Sequence, residues 1–296
     1  MRINERVIQL NDRPVNPNAR YVLYWMQMYK RVDNNHSLIY AIRRANELRL
    51  PLVVYEGLKY YYPWANDRIH TFILEGVEEK REAFEALGIR YVFNLQKNAD
   101  VSKNTVAALA KDAALIVTDD FPCFIIPEHN RRIAERTEIT VYAVDSNGVI
   151  PISKFDKEEY AAYTIRPKIN KLLDRYLKPL PNETVEISSV GLAVDCPETL
   201  VTRDNFAALV AGCDIDHGVP PSTYYKGGTN EAENGSRNLS TRYCQIMTRR
   251  GASRTATGLR GFRHICILAI CHRLRSHLLC KKPTHRRDRS MRILKN

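Results

Sequence analysis

No apolar run in this sequence is long enough to span a bilayer, and its first residues, MRINERVIQLND, lack the apolar core of a signal peptide. A cytosolic (cytoplasmic) protein with no membrane contact is the expectation. No G-x-G-x-x-G and no phosphate-binding loop follows any strand-like run. The one double glycine, Gly227-Gly228, follows no strand pattern either. No Ser/His/Asp or Cys/His set sits in a recognisable local motif. Seven cysteines at irregular spacing do not describe a disulfide framework. The cluster Cys244, His264, Cys266, Cys271, His272, His277 and Cys280 matches no paired zinc spacing, so no metal site is expected. Tryptophan is scarce, with Trp25 and Trp64 alone.

What is present is a globular balance: 44% hydrophobic and 26% charged residues over 296 positions. That is enough chain for two domains. The net charge of +12 points towards nucleic acid, but its distribution is uneven. Residues 1–233 hold 29 Lys and Arg against 32 Asp and Glu, whereas residues 234–296 hold 16 against one, Asp288. Four of the seven cysteines and four of the eight histidines also fall in that last stretch. The basic tail offers only Tyr243 and Phe262 as stacking platforms.

Residues 1–20 read as an irregular lead-in. Beyond them strand and helix patterns alternate. Strands are expected at Tyr21–Met26, Leu52–Tyr55, Ile89–Phe93, Ala114–Thr118 and Glu138–Val144. The first helix has Asn34 or Asn35 as its cap and Leu38, Ile39, Ile42, Ala45 and Leu48 on one face. A long amphipathic helix runs from Asn66 to a stop at Gly88, and shorter ones cover Ser102–Lys111 and Pro127–Arg136. Five such cycles with short connections call for an α/β fold, a five-stranded doubly wound parallel sheet. Glu158–Leu177 reads as helical on both sides of Pro167. Residues 178–200 form a Pro-containing linker, and residues 201–233 are rich in turns.

The first strand ends abruptly in polar residues: Gln27, Lys30, Arg31, Asp33, Asn34 and Asn35. In open α/β sheets, ligands bind at the carboxyl ends of strands. The plainer alternative makes Trp25 and Met26 core and the rest a solvated loop. Asp119-Asp120, at the end of the fourth strand, reads either as a ligand site or as the cap of the next helix. Asp216-His217 reads either as a proton-transfer pair or as a surface turn.

Six segments carry a resemblance to a known family: VLYWMQMYKRVDNN at 22–35, LVVYEG at 52–57, YPWANDRIHTFILEG at 62–76, VDSNGVIP at 144–151, EEYAAYTIRPKI at 158–169 and IDHGVPP at 215–221. Together and in this order they resemble the class II cyclobutane-pyrimidine-dimer DNA photolyases of the photolyase/cryptochrome family. The resemblance implies a DNA-repair flavoprotein, a carbon-carbon lyase. Its N-terminal α/β domain can seat an antenna chromophore of deazaflavin, flavin or folate type. Its helical C-terminal domain holds FAD and UV-damaged DNA. Light-excited reduced FAD then splits a flipped-out pyrimidine dimer, which a buried flavin cannot reach inside the duplex. The antenna region implied here comprises Met26, Gln27, Arg31, Asn34, Asp119 and Asp120. A monomer is expected.

The implied layout is an α/β domain over 21–148, a linker with helix over 149–200 and the start of the FAD domain over 201–233. Thereafter the sequence departs from the family. A motif like SPYLHFG is absent from the tail. Yet Gly261–Ala269, GFRHICILA, can be written GGC TTT CGC CAT ATC TGC ATT TTG GCC. Read from the third base, those codons give LSPYLHFG. Asn234–Thr248 can likewise be written to give WLEEFIDEVLPDYDE in the shifted frame. A frameshift near Ala232–Asn234 would account for the charge break, because acid-rich codons read out of step become arginine codons. The chain as written would then be truncated, without an FAD pocket, a dimer pocket or a catalytic residue, and its tail is expected to be disordered. The competing expectation is an α/β domain with a functional basic nucleic-acid-binding tail and no enzyme activity. A third is a free-standing α/β domain that binds a flavin or deazaflavin without repair chemistry.

Overall fold

A computed structural model describes residues 3–99 and 104–237. Residues 238–296, with nearly all of the basic stretch and its Cys/His cluster, lie outside the described residues, so the expectation of a disordered tail falls there.

The sheet has six strands rather than five: β1 (Val7–Gln9), β2 (Tyr21–Trp25), β3 (Leu52–Lys59), β4 (Arg90–Gln96), β5 (Ala113–Asp119) and β6 (Val141–Val144), in the order β1-β6-β5-β2-β3-β4. Five strands are parallel. The additional strand, β1, lies in the expected irregular lead-in and runs antiparallel to β6, pairing Val7 with Val144 and Gln9 with Tyr142. It was not legible because three residues give no alternation to read, and the free edge of β6 alone decides the pairing. Beside it Arg6 is buried and donates to the carbonyls of Asp145 and Val149.

Helices cover both faces. On one face α1 (His36–Leu48), α2 (Asp67–Leu74) and α3 (Val77–Ala86) pack Leu38, Ile42, Leu74 and Phe84 against Val22, Tyr24, Val54 and Val117. On the other, α4 (Thr105–Ala110) and α5 (Ile126–Arg136) pack Leu109 and Ile133 against Leu23, Val53 and Ile116. This is the doubly wound arrangement, and the buried strands are apolar on both sides as it requires.

Asn35 caps α1 by accepting from the Leu38 amide at 3.2 Å. Helix α1 closes with Arg49 in the left-handed region (φ 53°), a position usually given to glycine. The long helix expected from Asn66 is broken at Glu75-Gly76. The cause is distant in sequence. Gly227 and Gly228 lie on the break, and a Cβ on Gly227 would stand 1.8 Å from the Phe72 carbonyl oxygen. Gly227 donates to Glu75, while Thr229 and Asn230 donate to Glu79. Residues 229–237 then become helical. Helix α6 (Ala162–Tyr176) runs continuously through Pro167, and α7 (Phe206–Ala211) interrupts the turn-rich stretch.

Candidate ligand site at the carboxyl end of the sheet

After β2 the chain builds β3 and β4 to one side, then returns to place β5 and β6 on the other. The order therefore reverses between β2 and β5. In such folds a ligand crevice is expected outside the carboxyl ends of the two strands at this reversal, and here the loop after β2 is tied to the end of β5. The six residues read from the sequence all flank this reversal, but they play different parts.

Met26 is core, 1% exposed, with its amide donating to the Tyr55 carbonyl at 2.9 Å. Asp119 is fully buried and does not cap the next helix. Its Oδ2 accepts the consecutive amides of Gln27 (3.0 Å), Met28 (2.7 Å) and Tyr29 (2.9 Å), and its Oδ1 accepts the Tyr24 hydroxyl at 2.9 Å. Successive amides turned towards one anion form a nest. Burial pushes the Asp119 carboxyl above the ordinary carboxylate range, and these donors oppose the shift. Helix α5 instead has Ile125 at its N-cap position and no side-chain cap. Asp120 is half-buried. Its backbone carbonyl accepts the Tyr29 hydroxyl at 2.6 Å, and burial, Asp145 and Asp119 raise its carboxyl.

Arg31 spans the crevice mouth. It donates to the Ser146 carbonyl at 2.9 Å and lies 5.4 Å from the Tyr29 ring centre. Asn34 sits at φ 54°, which turns the chain into Asn35 and α1. Asn35 ties the loop together by donating to the Tyr24 hydroxyl and to the carbonyls of Tyr29 and Arg31.

Gln27 has both ends engaged. Its Nε2 donates to Thr118 Oγ1 and Asn130 Oδ1, each at 2.8 Å, and its Oε1 faces His129 Nδ1 at 2.9 Å. His129 and Asn130 were not anticipated from the sequence. Both stand in the first turns of α5, and the HN pair in IPEHNRR is the only local trace of them. The His129 ring stacks on Trp25 at 5.8 Å. Burial, then Lys59 and Arg132, lower its pKa to about 4, so the imidazole is neutral at pH 7. Since Gln27 Oε1 can only accept, His129 Nδ1 carries the proton. Tyr29, Phe121 and Phe124 form a second aromatic group, with Phe121 and Phe124 stacked at 6.2 Å. Phe124 is 78% exposed and held at φ 61°, a costly conformation for an aromatic residue.

Beside the crevice Glu56 is completely buried between Lys30 (3.1 Å) and Lys80, and it accepts the Tyr91 hydroxyl at 2.6 Å. Burial alone would raise its pKa, but Lys30 and Lys80 outweigh it and hold it at about 2. A groove of about 340 Å³ adjoins this cluster, lined among others by Arg31, Asp33, Glu79, Lys80, Glu82 and Thr229. Asp216 and His217 do not pair with each other. Asp216 accepts the Gly218 amide, and the carboxylate beside His217 is that of Asp67. No set of three or more His, Cys, Asp or Glu side chains able to hold a metal occurs among the described residues. No helix there is long and apolar enough to cross a membrane.

The fold is that of a doubly wound α/β domain with a six-stranded, mostly parallel sheet. Comparison with known proteins makes it more particular. The DNA photolyase family profile matches residues 22–185, and the chain belongs to that family. It is similar to the deoxyribodipyrimidine photo-lyase of Methanothermobacter thermautotrophicus, 36% identical over 229 residues, covering 77% of this chain and 48% of the relative. The corresponding protein of Arabidopsis thaliana is 32% identical over 174 residues, covering 57% of this chain and 34% of the relative. Among solved structures, a class III photolyase from Agrobacterium tumefaciens shares the fold, with a TM-score of 0.52 at 12% identity over 75% of this chain and 44% of that one. The chain thus spans about half the length of the first relative and about a third of the second.

Proposed function

We propose that residues 21–148 are the antenna domain of a class II cyclobutane-pyrimidine-dimer DNA photolyase, an enzyme of light-driven, FAD-dependent repair of UV-damaged DNA. The observation that carries the antenna reading is the aromatic grouping at the switch point: Trp25 stacked on neutral His129, and Tyr29 with Phe121 and Phe124. A planar chromophore of deazaflavin, flavin or folate type would stack on such rings. Gln27, Arg31, Asn34 and Asp120 surround it, while Met26 and Asp119 hold the loop in place. When bound, such a chromophore supplies absorbed light energy. The chain's own part is to seat it and exclude water.

The described residues do not themselves fit FAD. The groove beside Lys80 carries Asp33, Glu79 and Glu82, which would face a pyrophosphate with like charge. FAD and the dimer belong to a helical domain that begins within 201–233, after a linker at 149–200. The charge break at residue 233 and the shifted-frame reading LSPYLHFG support a frame change near Ala232–Asn234, which leaves that domain incomplete and the chain inactive. The nucleotide sequence tests this: the idea fails if Gly261–Leu268 cannot be read as SPYLHFG one base out of step. A frame-restored chain should repair dimers in light where the present chain does not. Visible absorption and fluorescence of the purified chain, titrated with riboflavin, a deazaflavin and a reduced folate, test the antenna site. Failure of all three to bind overturns it.

The excess of 16 basic residues over one acid beyond residue 233 favours a second reading, a non-enzymatic nucleic-acid binder. It requires salt-sensitive DNA or RNA binding that is lost when residues 234–296 are removed.

A further inference from the structure

Residues 213–220 cross the start of α2 as a strap. The first amides of a helix have no partners within it. Here the strap supplies them: Asp67 donates to the Asp216 carbonyl and Arg68 to the Val219 carbonyl, each at 3.3 Å. The Asn66 side chain takes the Ile69 amide at 3.0 Å. The Asp216 amide returns to the Ala65 carbonyl at 3.1 Å, and Arg68 Nε donates to the Pro220 carbonyl at 3.1 Å. These bonds are mostly long and lie at the surface.

His217 fastens the strap. Its Nδ1 is 2.7 Å from Asp67 Oδ1, and its Nε2 is 3.0 Å from the Cys213 carbonyl oxygen. A carbonyl can only accept, and Asp67 beside a cation is an acceptor as well. A neutral imidazole carries one N–H and can satisfy one of them. Only the imidazolium donates to both.

We propose that His217 is a proton-operated clasp: as the imidazolium it fastens residues 213–220 across the start of α2, and loss of its proton releases the strap. The charged and titratable groups around it are Asp67 and Arg68 on α2, Asp214 and Asp216 on the strap, the buried Cys213 thiol, and Lys97, whose carbonyl accepts the Asp214 amide. Asp67 lies nearest and favours the cation. Its hydrogen bond is the main cause of a raised pKa at His217, with burial opposing it. The side chain is 47% exposed, so its proton exchanges freely with solvent. On deprotonation one of the two contacts must open. A neutral ring that keeps its N–H on Asp67 points a lone pair at the Cys213 carbonyl, and this repulsion turns it away. The strap leads on to Gly227 and the helical residues 229–237, which have their own bonds to Glu75 and Glu79.

The test is a histidine-ring NMR titration of the whole chain, with amide hydrogen exchange at about pH 6 and about pH 9, either side of the ordinary histidine range. His217 should titrate above its ordinary value. Protection at Asp67, Arg68 and Asp216, corrected for intrinsic exchange, should be lost as it does so. His217→Arg, a permanent cation, should retain protection at the higher pH. His217→Gln should show the same protection at both. A His217 that titrates at or below the ordinary value overturns the proposal. So does an equal pH dependence in wild type, His217→Arg and His217→Gln.

Discussion

Met28 donates its amide to Asp119 Oδ2 at 2.7 Å across 91 residues of sequence, and this bond, with its neighbours, joins the loop after β2 to the end of β5. The crevice depends on it. Without an anion at 119, three consecutive amides point into the domain with nothing to receive them.

Asp119→Asn should therefore destabilise the chain by about 2–3 kcal/mol, because an amide nitrogen or a single neutral acceptor replaces a carboxylate bonded to four donors. Urea denaturation followed by circular dichroism measures this. A loss well under 1 kcal/mol would mean that the loop is held by other contacts.

At Glu56 the order of effects is the informative quantity. Glu56→Leu strands Lys30 and Lys80 in the interior and should cost about 3–5 kcal/mol. Lys80→Met leaves Glu56 with Lys30 and the Tyr91 hydroxyl, so it should cost clearly less. Equal losses in the two variants, by the same denaturation assay, would contradict the arrangement.

Gly227→Ala brings a methyl group to 1.8 Å from the Phe72 carbonyl oxygen, which must displace backbone. About 2 kcal/mol of destabilisation is expected, with loss of exchange protection at Thr229 and Asn230. Gly212→Ala is the control. Its Cβ would meet nothing nearer than 3.6 Å, at φ −89°, and should be neutral within about 0.5 kcal/mol.

Glu5 anchors α6 to the N-terminal turn through Tyr176, Arg175 and Lys154. The hydrogen bond from Tyr176, then Arg175 and Lys154, lower its pKa to about 2 from 4.5. A depressed carboxylate contributes stability that is present above its unfolded pKa and lost as pH falls towards the folded one. Protection of α6 amides, corrected for intrinsic exchange, should therefore fall between about pH 4.5 and pH 2. Glu5→Gln should abolish that dependence.

Trp25→Leu should weaken binding of a flavin-type chromophore by about tenfold, the equivalent of one stacked ring pair. The visible titration described above reads it, and unchanged affinity would place the chromophore elsewhere.

Much of the fold was legible. The strands β2 to β6 are apolar runs bounded by turns, and Asn35 announces α1 by its position before an amphipathic stretch. The failures share a physical cause. Strand β1 is only three residues long and exists because β6 has a free edge. The break between α2 and α3 exists because Gly227 and Gly228 approach from 150 residues downstream. The polar loop after β2 was legible, since a polar stretch after an apolar strand is a local signal. Its partners were not: His129 and Asn130 sit on a different element, and no local pattern brings them to Gln27.

Sequence by itself determined the alternation of elements, the five parallel strands, the polar loop at 26–35 and the family, because each rests on periodicity or on residues adjacent in the chain. Tertiary structure decided what those residues do. Asp119 became the anchor of a loop instead of a helix cap, and His217 found Asp67 instead of Asp216. A buried or shared polar group takes whichever partner the packing brings within about 3 Å, and the packing depends on contacts between residues that the chain order keeps far apart.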